Sequence, residues 1–348
     1  MNGGPARGTG GRPVTLSDVA EHAGVSLATA SRALNGSVRV VNRELKERVL
    51  ASAEALHYTP NTQAQAVARG SSRTVAIVLG DIEDPYFSAV AAGISRAADD
   101  RGLVVTMSAT GSDVDREVTT LAALRGQRPH ALIMAGSRSV DPAVDARVIA
   151  ELAAVEAAGG NVAFIGEPPP GFRGVPVAHR DGAAELATAL FARGYRDAAI
   201  LAGPADRVTP VERAAGFAGA MDAAGAPIPQ SLRVACAFSR DGGFAAMDAL
   251  LRQGKRPRLV FATADVVAVG AMAAIRAHGL RPGKDIAVAG FDDIQLLQDV
   301  TPSLTTVALA LAEMGERALE LALAGPGAAP AEPIAGRVVL RDSTPDIR

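Results

Sequence analysis

Between Val14 and Asn35 the chain reads VTLSDVAEHAGVSLATASRALN, two short helical stretches broken at Gly24. Ala20, Val25 and Leu34 are the apolar positions that would hold the two stretches at a fixed angle, the geometry that lets a second helix enter a DNA major groove with its N-terminal end at the base edges. Leu27 and Ala28 open that helix and are the natural base readers. Both are apolar, which limits them to thymine methyls and groove shape, whereas Arg32, one turn on, can donate two hydrogen bonds to guanine. Thr15, Thr29, Ser31 and Asn35 are short hydrogen-bonding side chains suited to fixing the module on phosphates. Any three-helix bundle shows similar helices and caps, so a purely structural reading of this stretch stays open.

Other chemistries find less support. The five histidines, His22, His57, His130, His179 and His278, are scattered without metal-ligand spacing. His179, just before DGAAEL, could approach the cleft, but a solvent-facing loop is the expectation. The single cysteine, Cys236, allows no internal disulfide and is expected as a small buried or half-buried side chain. No G-x-G-x-x-G follows the first strand-like run, and neither a G-K-[ST] phosphate loop nor a G-x-S-x-G elbow is present, which argues against the common enzymes of α/β folds. No catalytic residue, metal or cofactor is expected. The first dozen residues, MNGGPARGTGGR, lack the apolar core of an export signal, which disfavours a secreted solute-binding protein and points to the cytoplasm.

The elements that must position these residues follow from the pattern. At 348 residues the chain exceeds the roughly 250 to 300 at which single cores stop growing, so two or three units are expected. Residues 1–72 hold 8 Lys/Arg and 5 Asp/Glu, a balance of +3 that leaves −5 for the remainder of a chain of net charge −2. That asymmetry suits a phosphate-facing module on an acidic body. Thr15 and Asp18 form a T-x-x-D helix start, Ser26 can cap the second helix, and RELKERVLASAEALHY reads as a third that Pro60 stops. Beyond it, runs such as TVAIVLGD, HALIMAG, NVAFIGE, RDAAILAG, RLVFATA and IAVAGFDD alternate with helical patterns, the beat of parallel sheets covered on both faces. About a dozen strands fit two sheets of five or six better than one, so two subdomains with a cleft between them are expected. Ligands in such folds bind at the carboxyl ends of the strands, here Gly80-Asp81, Gly166-Glu167, Gly203-Pro204, Ala264-Asp265 and Asp292-Asp293.

The first string resembles the headpiece of the lactose/galactose-repressor (LacI/GalR) family of bacterial regulators, through VTLSDVA, AGVS, TASRALNG and Y-x-PN in order and without a gap. The likeness continues through RTVAIVLGDIEDPYF, DGAAELATALFARGYRDAAILAGP, ERAAGFAGAM, FATADVVAVGAMAAIRAHGLRPGKDIAVAGFDDI and TPSLTTV, and so covers Val14 to about Val307. Behind an opening Gly/Pro/Arg stretch at 1–12 that lacks periodicity and is expected as a disordered tail, the likeness implies an α/β chain: an all-α three-helix helix-turn-helix headpiece at 13–58, a hinge at 59–72, and a periplasmic-binding-protein-like core. The core would comprise two doubly wound parallel-sheet subdomains, 73–175 plus 308–326 and 176–300 plus 330–345. It also implies a homodimer on double-stranded, pseudo-palindromic operator DNA, with a tetramer left open, acting as a repressor that senses a sugar, sugar acid or related metabolite.

In the hinge the resemblance assigns minor-groove contacts to Asn61, Ala64 and Val67, with Val67 where the family usually has leucine. A smaller, β-branched wedge unstacks a base step less, and a plain helix contact is the alternative. Effector contacts carry over to Tyr86, Phe87, Arg207, Thr209, Arg213, Phe238, Asp265 and Asp292. Arg213 and Asp292 also have a structural alternative, as an ion pair or caps holding the subdomains in register. Two positions depart from the family pattern: Ala264-Asp265 replaces Asn-Asp, and Asp84-Pro85 replaces Asn-Pro. Arg207 and Arg213 together would suit an anionic effector, although family members that take neutral sugars also carry an arginine there.

Overall fold

The computed structural model describes residues 14–35, 42–59, 72–325 and 331–348. The hinge positions Asn61, Ala64 and Val67 lie outside the described residues. The chain divides into two compact units, 1–69 and 70–348.

The first unit is a bundle of α1 (Leu16–His22), α2 (Leu27–Asn35) and α3 (Arg43–Ala55). Its core is Val19, Ala20, Ala23, Ala30, Ala33, Val49 and Ala53, with Leu16, Val25, Leu34, Leu56 and Tyr58 packed around it. Four of those seven buried residues are alanines in α1, α2 and the turn between them, so the helices approach closely and the turn must be tight. Gly24 supplies it at φ +61, a left-handed conformation that a Cβ disfavours. Arg48 of α3 donates to the Ala23 carbonyl at 2.6 Å and so satisfies the open end of α1. Thr15 and Asp18 form a reciprocal capping box, Thr15 N–H donating to Asp18 Oδ2 at 2.7 Å. Ser26 Oγ accepts from Thr29 N–H at 3.2 Å at the start of α2. The third helix ends at Ala55, ahead of Pro60: Leu56 is its C-cap and His57 turns to φ +49.

In the second unit a five-stranded sheet has the order β2-β1-β3-β4-β5, all parallel, from β1 (Thr74–Leu79), β2 (Val104–Ala109), β3 (Ala131–Ala135), β4 (Asn161–Ile165) and β5 (Arg173–Val175). Along β1 the side chains of Val75, Ile77 and Leu79 enter one core, with α4 (Pro85–Asp99) and α11 (Leu311–Leu323). Ala76 and Val78 enter the other, with α5 (Val114–Gln127) and α6 (Pro142–Ala157). A strand buried on both faces is apolar at every position, which is why TVAIVL shows no alternation.

A four-stranded parallel sheet has the order β7-β6-β8-β9, from β6 (Ala198–Gly203), β7 (Arg233–Ala235), β8 (Leu259–Ala262) and β9 (Ala287–Ala289). The helices α7 (His179–Ala192) and α8 (Val208–Ala223) cover one face, and α9 (Arg240–Arg252) and α10 (Asp265–Ala277) the other. The remaining strands, β10 (Thr306–Ala308) and β11 (Arg337–Val339), form an antiparallel ribbon rather than joining a parallel sheet. The chain crosses between the two lobes near residue 177, where Val177 bridges Ile334, and near Asp292, which bridges Ala308. No helix among the described residues is long and apolar enough to cross a membrane.

Candidate functional site

In the headpiece, burial sorts α2 into two faces. Ala30 and Ala33 are in the core, while Leu27 is 54% exposed and Ala28 and Arg32 stand in solvent. An exposed leucine at the first position of a short helix gains nothing from its own fold. Arg32 Nε donates back to the Ala28 carbonyl at 2.9 Å, which holds the guanidinium along the same face. Thr15 Oγ1 is engaged with Asp18 Oδ2 at 2.7 Å and Thr29 Oγ1 with Ser26 Oγ at 2.8 Å, so Thr15 caps α1 and Thr29 is tied to Ser26 at the start of α2. Ser31 is half-buried, and Asn35 is the last residue of α2.

In the second unit a cavity of about 420 Å³ opens at the carboxyl ends of the strands. From the five-stranded lobe come Asp81, Asp84, Tyr86 and Phe87 after β1, Ser112 after β2 and Ser137 after β3. From the four-stranded lobe come His179 of α7, Asp206, Arg207, Thr209 and Arg213 after β6, Phe238 after β7, and Asp292 at the crossover. Tyr86 and Phe87 meet edge to face at 5.0 Å between ring centroids. Phe238 is placed by Gly203: a Cβ there, at φ +69, would stand 2.9 Å from the Phe238 ring.

The arginine at the centre is Arg213, 2% exposed. Its NH2 donates to Asp292 Oδ1 at 2.7 Å, its NH1 to the Thr263 carbonyl at 2.8 Å, and its Nε to His179 Nδ1 at 3.3 Å. The guanidinium also lies 4.0 Å over the Phe291 ring. Asp292, 3% exposed, has φ +123, strained for a residue with a Cβ, and Asp293 follows at φ +58. The backbone is held there by Asp292 N–H to the Val307 carbonyl at 2.9 Å and by the Arg213 ion pair. Burial raises the Asp292 carboxyl to about 7 against the pull of Arg213. Arg213 and Asp292 therefore both line the cleft and pair with each other.

Two expectations are corrected. His179 does not lie on a solvent-facing loop: it is the first residue of α7, 7% exposed, and faces the cavity. Burial and the neighbouring Arg213 hold its pKa well below 6.5, so the ring is neutral, and an Nδ1 that accepts from Arg213 leaves the proton on Nε2. Asp265 does not reach the cavity. It is fully buried at the start of α10, where Oδ1 accepts from Thr306 Oγ1 at 2.7 Å and Oδ2 from Ile294 N–H at 3.1 Å. Burial, then the nearby Asp292, push its pKa to about 8. Its position at a strand-to-helix turn suggested the cleft, but its side chain turns inward and ties α10 to the crossover.

Arg207 lines the cavity yet serves to close it. From the four-stranded lobe it donates to the carbonyls of Ser137, at 3.1 Å, and Ser112 in the other lobe. Around it Val140 N–H donates to the Asp206 carbonyl at 2.9 Å, Val208 N–H to the Arg138 carbonyl at 3.0 Å, and Thr209 N–H to Ser137 Oγ at 2.9 Å. Ser112, Ser137 and Asp206 were not singled out from the sequence. The Gly-Ser pairs that end the runs LVVTMSATGS and HALIMAGS were the available signal.

A family model described as bacterial regulatory proteins, lacI family, matches residues 15–61, and one described as a periplasmic binding protein-like domain matches residues 187–344. The chain belongs to the LacI/GalR family. Among its relatives, the HTH-type transcriptional repressor PurR of Escherichia coli O139:H28 is 27% identical over 310 residues, 89% of each chain. Among solved structures, the lac repressor dimer bound to operator and the anti-inducer ONPF superposes with a TM-score of 0.80 at 29% identity, covering 96% of this chain and 100% of that one. A LacI-family regulator from Silicibacter pomeroyi gives 0.80 at 26% identity, over 95% and 99% of the two chains. The CelR–cellobiose complex gives 0.67 at 28%, over 95% and 100%. These relatives are transcriptional regulators, and this LacI-family chain is a regulator with an effector-type domain rather than an enzyme. Among its described residues no group of three or more His, Cys, Asp or Glu is placed to hold a metal ion.

Proposed function

We propose that this LacI-family chain is a ligand-responsive repressor that binds a pseudo-palindromic operator as a homodimer and senses a small molecule, a sugar or sugar derivative, in the cleft of its second unit. The observation that carries the reading is the solvent face of α2. Leu27, Ala28 and Arg32 stand together on the outside of a bundle whose own core they do not need. Base contacts fall to these three, and backbone contacts to Thr15, Thr29, Ser31 and Asn35, with the hinge residues Asn61, Ala64 and Val67 in the minor groove. The effector domain is read as two lobes, 73–175 with 308–326 and 176–300 with 330–345, each contributing part of the cavity.

Effector action then needs only unequal affinity for the two relative orientations of these lobes. The hydrogen bonds of Arg207, Thr209 and the 138–140 segment across the cleft are the contacts that such a reorientation would make or break. Tyr86, Phe87, Phe238 and Arg213 with Asp292 supply the apolar and polar contacts to the ligand, and Asp265 supports them from behind.

The test is selection of random duplex DNA on the full chain, followed by measurement of affinity for the enriched site with and without candidate effectors. An enriched inverted repeat bound by a dimer supports the reading, and failure to enrich any sequence overturns it.

A further inference from the structure

The hydrogen-bond inventory of the cleft is unbalanced. Its strong donors already have partners: Arg213 is held by Asp292, Thr263 and His179, and Arg207 by Ser112 and Ser137. Helix N-termini facing a cavity would normally make an anion site, but here the chain's own oxygens occupy them. Asp84 Oδ1 accepts from Tyr86 N–H at 2.9 Å at the start of α4. Ser137 Oγ and the Arg138 carbonyl take the first two N–H groups of α8, and Ser239 Oγ takes Gly242 N–H of α9 at 3.1 Å.

Beside the His179 Nε2–H and the remaining guanidinium hydrogens, what the lining offers a ligand is carboxylate acceptor capacity. Asp84 is 7% exposed and Asp292 3%, and both line the cavity. Each has one oxygen bonded, to Tyr86 N–H and Arg213 respectively, and a second with no hydrogen-bond partner among the described residues. Asp81 and Asp206 add two more carboxylates to the lining. Four carboxylates stand against two arginines and a neutral histidine, a formal excess of two negative charges. These oxygens open to the cavity, but carboxylates so little exposed are costly to keep charged, and burial raises the pKa of Asp84. A ligand that brings donors relieves that cost; one that brings an anion adds to it.

We propose that the cleft takes a polyhydroxylated ligand bearing a protonated amine, an amino sugar or amino polyol, with its ammonium seated between Asp84 and Asp292 and its ring against Tyr86, Phe87 and Phe238. This rests on the cleft being the effector site. It reverses the anionic preference that two arginines suggest in the sequence, because both guanidinium groups are engaged by the protein itself.

Calorimetric titration of the full chain with glucosamine, galactosamine and mannosamine, each beside its neutral parent sugar and its uronic acid, tests the assignment. At least one amine is expected to bind about tenfold or more tighter than its neutral parent, with no binding of the acid. Asp84→Asn keeps the helix cap, since asparagine caps as well as aspartate. It should weaken the amine about tenfold and leave the neutral parent within about twofold. Binding of a uronic acid, a neutral parent as tight as its amine, no binding by any of the three amines, or an unchanged amine affinity in Asp84→Asn overturns the proposal. An acid or neutral sugar that binds and alters operator affinity would overturn the charge preference alone and leave the effector role standing.

Discussion

Arg32 and Asp265 show how differently two charged residues are used. Arg32 is on the surface with its Nε tied to Ala28, so its remaining N–H groups face outward at the same point as Leu27 and Ala28. Arg32→Ala is expected to lower affinity for the selected operator by about 1 to 3 kcal/mol and to relax base preference at one position in each half-site. Fluorescence anisotropy on single-base variants of that site reads both effects, and unchanged affinity and preference would exclude Arg32 from base readout. Asp265 is buried where no cation reaches it. Its folded pKa of about 8 lies above the ordinary 3.8, so the folded chain holds a proton there that the unfolded chain releases. Stability from this group is present in full below about pH 4 and declines as pH rises to about 8. Between pH 7 and 8 the loss should be about 1 kcal/mol. His179, whose pKa is lowered, acts in the opposite sense only below 6.5 and does not mask it. Urea midpoints at the two pH values should therefore differ in the parent and differ less in Asp265→Asn, where Asp292, raised to about 7, still adds a smaller loss. An equal pH dependence in both would place the proton elsewhere.

The elements differ in how openly they were written. The start of α1 could be read from Thr15 and Asp18, and the turn from Gly24, because capping and left-handed turns are local events involving three or four residues. Gly24→Ala should open the α1–α2 turn by about 1 kcal/mol, since alanine is disfavoured at φ +61. Hydrogen exchange in the full chain would show this as about fivefold faster exchange in α1 and α2, and protection equal to the parent would argue that the turn relaxes without strain. The end of α3 was less open: the helix stops five residues before Pro60, with Leu56 and Tyr58 turned into the bundle, a choice made by packing. The ribbon of β10 and β11 was hidden altogether. Each strand has three residues, their partners are some thirty positions apart, and no alternation develops over so short a run.

For the whole molecule, charge and fold divide the work. Residues 1–72 carry +3 and the rest −5. Operator affinity should fall linearly with log salt as phosphates exchange counterions for Lys and Arg, by about a thousandfold or more between 50 and 200 mM if six phosphates are contacted. A flat salt response in filter binding would remove the electrostatic part of the model.

Sequence alone determined the family, the three-helix headpiece with Leu27 and Ala28 at the head of its second helix and Arg32 further along it, and the parallel α/β character of the body. These follow from local periodicity and from motifs contiguous in the chain. Only the tertiary structure decided what the cleft is made of. It turned Asp265 inward, brought His179 in from the start of α7, engaged Arg207 across the lobes and Arg213 with Asp292, and left the second oxygens of Asp84 and Asp292 without partners among the described residues. Whether the Arg207 guanidinium is free or occupied depends on a partner 95 residues away, and no window on the sequence contains both ends of such a bond.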